Sequence, residues 1–160
     1  MNRESDERQR SGYSTSTFEN LEVYQVAREF RKTMYQIARQ LPEIEKFGLA
    51  GQMRRAAISL TNNIAEGHGR YHYLDQIRFT LQARGSLEEL IDDLNVCHDE
   101  QYLTAQDIDS MKQDGWRVRR LIDGYIRYLR QQKDSADGRL SMQEDPPPYR
   151  EGCDDSRFSI

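Results

Sequence analysis

Met53-Arg54-Arg55-Ala56-Ala57-Ile58-Ser59-Leu60-Thr61-Asn62-Asn63-Ile64-Ala65-Glu66-Gly67 carries two ordered stripes when read at helical spacing. Leu49, Met53, Ala56, Leu60 and Ile64 recur every three or four residues, the pattern of a helix with one face in a core. Gln52, Arg55, Ser59, Asn62 and Glu66 recur at the same spacing, one step round the helix. An ordinary surface helix fills such a face with Lys and Glu. Amide and hydroxyl groups interleaved with Ala and Ile instead suit a face that hydrogen-bonds to something, either another subunit or a ligand.

Three further helices are predicted around this one. The first runs from about Asn20 to Leu41, with Val23, Ala27, Phe30, Met34, Ile37 and Leu41 inward, and Pro42 closes it. The quoted helix starts near Leu49 and stops at the glycine-rich Gly67-His68-Gly69. The next spans about Tyr73 to Glu100, with Ile77, Leu81, Leu87, Leu90, Leu94 and Cys97 inward. The last begins after Thr104, which with Asp107 forms a capping-box-like pair, and its seam is Ile108, Met111, Gly115, Val118, Ile122, Tyr125 and Leu129. No strand pattern is present. Short links near 42–48, 67–72 and 101–103 favour antiparallel neighbours in an up-down-up-down, all-α four-helix bundle. Antiparallel packing places Ala56 and Ala57 near Ala83 to Ser86, and Gly85, which costs roughly 1 kcal/mol in a helix, is expected to mark a close backbone approach there.

Phe18-Glu19-Asn20-Leu21-Glu22-Val23-Tyr24, Glu45-Lys46-Phe47-Gly48-Leu49, the quoted stretch and Ala83-Arg84-Gly85-Ser86-Leu87-Glu88-Glu89-Leu90 occur in that order, and together the region from Phe18 to Lys133 resembles the bacterial four helix bundle protein family. Its members were first noticed as products of intervening sequences in large-subunit ribosomal RNA genes, and the accessory variability proteins of diversity-generating retroelements look like the same fold. The resemblance implies an antiparallel bundle assembled as a ring-like homopentamer and no enzymatic activity. In the retroelement branch it implies binding to a reverse transcriptase and to nucleic acid.

Composition fits one modest domain with polar ends. Of 160 residues, 36% are hydrophobic. Residues 1–17 alternate Arg3, Arg8 and Arg10 with Glu4, Asp6 and Glu7 and hold no apolar run, so a disordered arm is expected. No signal-peptide centre and no run approaching the ~20 apolar residues of a membrane span is present, and a cytoplasmic protein is expected. Cys97 and Cys153 fall in regions too different for a disulfide framework. Residues 18–133 balance 17 basic against 17 acidic groups, and the net charge of -4 arises in residues 134–160, an expected disordered tail with three basic and seven acidic groups. The tail holds Pro146-Pro147-Pro148-Tyr149, a polyproline II segment and a chance-level match to WW-domain ligands.

Several chemistries lack their residues. Dimetal bundles use Glu-x-x-His, but Ala65, Gly69 and Asn95 stand three before His68, His72 and His98. The acidic run Glu88, Glu89, Asp92 and Asp93 has no oxygen-ligand loop, and Cys97-His98 diverge as helical neighbours, so no metal site, cofactor or catalytic residue is assigned.

Binding remains. Arg117, Arg120, Arg127 and Arg130 form a mostly one-sided stripe on the last helix, and Arg28, Arg31, Lys32 and Arg39 on the first are expected to join it in a basic outer surface for nucleic acid or a nucleoprotein partner. Tyr24, Tyr35, Trp116 and Tyr128 are interleaved as stacking platforms. Asp114 and Asp123, three before Arg117 and four before Arg127, offer an ion-paired reading of the same stripe. Gln52, Arg54, Arg55, Asn62, Asn63 and Glu66, with Arg84, Ser86 and Glu89, are expected to form a polar network across helices or subunits that fixes assembly. The sequence thus points to a non-enzymatic homopentameric adaptor for a reverse transcriptase and its structured RNA or DNA; the alternative is a structural ring that binds a protein or small ligand.

Overall fold

The computed structural model describes residues 17–143; most of the expected arm, the Pro146–Tyr149 segment and Cys153 lie outside them. Four helices, α1 (Glu22–Gln40), α2 (Leu49–His68), α3 (Tyr73–Asp99) and α4 (Ala105–Gln143), are joined by short links, with single 3-10 turns at Phe18–Asn20 and Glu43–Glu45 and no strand among the described residues. The expected helices stand within two residues of their expected starts. The one large difference is the end of α4, which continues through Gln143, so the boundary expected after Lys133 falls inside a helix.

Each start and stop has a local cause. Thr104 Oγ1 accepts the Asp107 N–H at 3.2 Å and donates to the Asp107 carboxylate at 2.7 Å, capping α4. Glu45 accepts the Leu49 N–H at 3.0 Å at the start of α2 and the Tyr102 hydroxyl at 2.9 Å, tying the α1–α2 link to the α3–α4 link. Past α3, Gln101 adopts a left-handed φ of 59°, and the N–H groups of Gln101 and Tyr102 return to the carbonyls of His98 and Cys97, a Schellman closure without glycine.

Packing runs round a square in which α1 touches α2, α2 touches α3, α3 touches α4 and α4 touches α1. Antiparallel register is readable from pairs: Asn95–Lys112, Glu88–Arg119 and Arg84–Asp123 bridge α3 to α4, and the paired numbers add to 207 at all three rungs. Gln52–Asp93 and Ser59–Ser86 bridge α2 to α3 with a common sum of 145. All the inward positions expected on α1 and α2 are buried except Leu41, which is half-buried. On α3 the expectation fails at Leu81, which is 41% exposed; Thr80 takes the core position, its hydroxyl donating to the Gln76 carbonyl at 2.7 Å. On α4, Ile126 is buried where Tyr125 was expected and Tyr125 is half-buried.

The glycines also redistribute. A Cβ on Gly85 would meet nothing within 4 Å, so no close approach explains it, and the register puts Ala56 nearer Glu89 than Ala83. The tight positions are Gly67, where a Cβ would stand 3.0 Å from Phe79 Cβ and 3.2 Å from the Gln76 carbonyl, and Gly115, where it would overlap Ile91 Cδ1 and stand 3.3 Å from Phe30. Glycine at the end of α2 therefore serves packing, since Gly69 is right-handed at φ -75°.

Candidate nucleic-acid interface

All four stripe arginines of α4 are exposed. The expected intrahelical pairing does not form. Asp123 is instead engaged by Arg119 Nε at 3.1 Å and, across the groove, by Arg84 at 3.3 Å, while Arg119 also binds Glu88. Among the described residues Arg117, Arg120, Arg127 and Arg130 consequently form no ion pair. Three of them meet Arg84 around a groove of about 460 Å³ between α3 and α4, floored by Leu81 and Ile126. Arg117 faces the other way, into a smaller cleft against Val26 and Glu29 of α1.

The basic residues of α1 do not join this surface. Arg31 donates to Thr61 Oγ1 of α2 at 2.8 Å, Lys32 pairs with Glu29 at 2.7 Å, and Arg31, Lys32 and Arg39 flank a shallow recess with Tyr35. That recess lies on the α1–α2 side, opposite the α3–α4 groove in the square. Arg28 and Arg39 are exposed. The single basic surface expected from α1 and α4 is thus two separate ones, because the contact that Arg31 makes turns the α1 stripe toward α2.

The expected polar network is likewise divided. Gln52 Nε2 donates to Asp93 Oδ1 at 3.0 Å, Ser86 Oγ donates to Ser59 Oγ at 2.8 Å, and Asn63 donates to the Ser59 carbonyl at 2.9 Å. Arg54 serves the α1–α2 link by donating to the Lys46 carbonyl at 2.9 Å, Glu66 pairs with Arg70 one turn on, and Arg84 belongs to the α3–α4 groove. Arg55, Asn62 and Glu89 are exposed and make no hydrogen bond among the described residues. With Ile58, 43% exposed, they leave groups on the outer faces of α2 and α3 unsatisfied among the described residues of one chain.

Asp93 is the chemically unusual member of the acidic run. It is 2% exposed, its Oδ2 has no partner, and burial pushes its carboxyl up to about 6, helped by the charges of Glu89 and Asp92. The available sequence signal was the matched seven-residue spacing of Gln52 and Ser59 against Ser86 and Asp93. Cys97, fully buried, is pushed up to about 11 by burial and by the neighbouring charges of Asp93 and Glu45, which keeps it a thiol at neutral pH. Among the described residues no group of three His, Cys, Asp or Glu is placed to hold a metal ion, and no helix is long and apolar enough to cross a membrane.

The model of the 23S rRNA-intervening sequence protein family matches residues 19–124. No curated protein matches the chain. The matched stretch contains α1, α2, α3 and the first half of α4, and it ends before Ile126, Arg127 and Arg130.

Proposed function

The chain belongs to the 23S rRNA-intervening sequence protein family, and from that premise we propose that it is a non-enzymatic, cytoplasmic, homopentameric adaptor that binds a nucleic-acid-processing partner, a reverse transcriptase with its structured RNA or DNA. The observation that carries the nucleic-acid part is the set of α4 arginines left without carboxylate partners. A guanidinium held free on a helix is available to phosphate, whereas an ion-paired one must first break its bond. Support for the ring comes from the outer faces of α2 and α3, where Arg55, Ile58 and Asn62 are exposed and Gly85 has open space before it. A second body approaching there would find both hydrogen-bonding groups and a place for close backbone contact.

The neutral balance of 17 basic and 17 acidic groups in residues 18–133 favours the second reading, a structural ring that binds a protein or small ligand. Light scattering tests the assembly common to both: the expected mass is about five times the 18.9 kDa chain, and a clean monomer would remove the ring. Pull-down with a reverse transcriptase encoded beside the gene tests the partner, with retention of RNA in the complex separating the two readings.

A further inference from the structure

We propose that the α3–α4 groove is a binding track for one unpaired nucleic-acid strand, with Arg120, Arg127 and Arg130 on its phosphates and Trp116 as a stacking platform at its end. This rests on the nucleic-acid reading above and supplies its site and the form of the ligand.

The charge arrangement selects a single strand. Arg120, Arg127 and Arg130 lie in one row along α4, ten residues from first to last, about 15 Å at the helical rise. Arg84 reaches in from α3 between Arg120 and Arg127, opposite Asp123. A duplex presents two rows of phosphates across a groove of roughly 6 to 12 Å, whereas among the described residues the α3 side of the groove lining contributes one cation, Arg84, which is paired with Asp123. One backbone, by contrast, can be followed along the whole length. Three guanidinium groups of the lining, Arg120, Arg127 and Arg130, are left unpaired among the described residues, because its one carboxylate, Asp123, is already held by Arg84 and Arg119.

The lining selects exposed bases. Leu81 is 41% exposed at the floor and presents an apolar surface to the groove. Trp116, 40% exposed, sits one helical turn before Arg120 on the same side of α4. Unpaired bases stack on such rings, while bases inside a duplex are already stacked on each other. In the α1 recess Lys32 is paired with Glu29 and Arg31 is committed to Thr61, which among the described residues leaves Arg39 beside Tyr35 as the one unpaired cation of its lining. The groove also extends past the stretch shared with the family model, so the long α4 of this chain completes it.

The full chain would be titrated against labelled oligouridine and oligothymidine of about 12 nucleotides, within the usual site sizes, and against an RNA duplex of the same length, over a salt series. Single strands are expected to bind more tightly than duplex, with a log-log salt slope of about -2, roughly 0.7 for each of three phosphate contacts. Arg120→Glu with Arg127→Glu should weaken binding at least tenfold and flatten the slope by about 1.4. Both side chains are exposed and unpaired, so helix content by circular dichroism should be unchanged. Trp116→Ala should weaken single-strand binding roughly tenfold at an unchanged slope. Arg28→Glu with Arg39→Glu should leave affinity within about twofold. Loss of binding in the α1 variant but not in the α4 variant would overturn the groove while leaving the nucleic-acid reading intact. Tighter binding of duplex would overturn the assignment to a single strand. No binding of any probe at low salt would sink the groove and the nucleic-acid reading together, and the structural ring would then stand.

Discussion

Asp93→Asn is expected to stabilise the protein by about 2 kcal/mol at pH 7.5 and to lose that advantage by pH 4. The sign follows from the carboxyl being raised from 3.8 to about 6 on folding, first by burial and then by Glu89 and Asp92. Well below pH 3.8 the group is protonated in both states and contributes little. Between about pH 4 and 6 the folded state binds more protons than the unfolded one, so stability falls as pH rises. Above 6 the full penalty is present, and a shift of two units corresponds to about 3 kcal/mol. An asparagine retains the acceptor for Gln52 and carries no charge to desolvate, while its buried N–H group costs about 1 kcal/mol in return. Urea denaturation of both proteins at pH 4 and 7.5, at one fixed protomer concentration, measures the difference. A gain independent of pH would show that the Asp93 charge is not its source.

Gly115→Val should destabilise by about 1 to 3 kcal/mol, the usual cost of forcing methyl groups into a filled core. The new Cβ would overlap Ile91 Cδ1 and press on Phe30, where α4 meets α3 and α1. Gly85→Ala should do the reverse and stabilise α3 by up to about 1 kcal/mol, because nothing within 4 Å opposes the methyl and alanine is the better helix former. Thermal melts of the two variants distinguish a packing glycine from an open one. Loss of the oligomer in Gly85→Ala at unchanged helix content would assign that open space to a neighbouring copy.

The helices were legible because α1 and α2 keep their apolar residues at strict helical spacing, and Pro42 and Thr104 mark their limits with local chemistry. The α3 seam was less legible since Thr80 occupies a core position by satisfying its hydroxyl on its own helix, leaving Leu81 outside. The end of α4 was hidden for a different reason. Beyond Arg130 the composition is polar, and the helix is supported by local pairs such as Lys133–Asp137 at 2.8 Å, which leave no apolar stripe to read. At the candidate site the arginine row was visible from spacing alone. What could not be read was its company: the partners of Asp123 come from the α3–α4 register, and the separation of the α1 basic residues comes from which helix α1 faces. Both are properties of the assembled square, absent from any single helix. Asp93 escaped for the same reason, since its burial depends on where α2 lies.

The constant sum of 207 between α3 and α4 has a dynamic consequence. It sets Leu74 beside Lys133 and Tyr71 beside Ala136, and these residues do share a cleft. Past Ala136 the α4 backbone has outrun its neighbour, because α3 begins at Tyr73. Seven further residues of helix are too short to hold by themselves and depend on what lies before them. Their amides should therefore exchange with solvent by local fraying, on a faster clock than the global opening that governs the core. Arg127 and Arg130 sit just inside the supported part, so the helix can breathe at its tip while the row of guanidinium groups keeps its spacing.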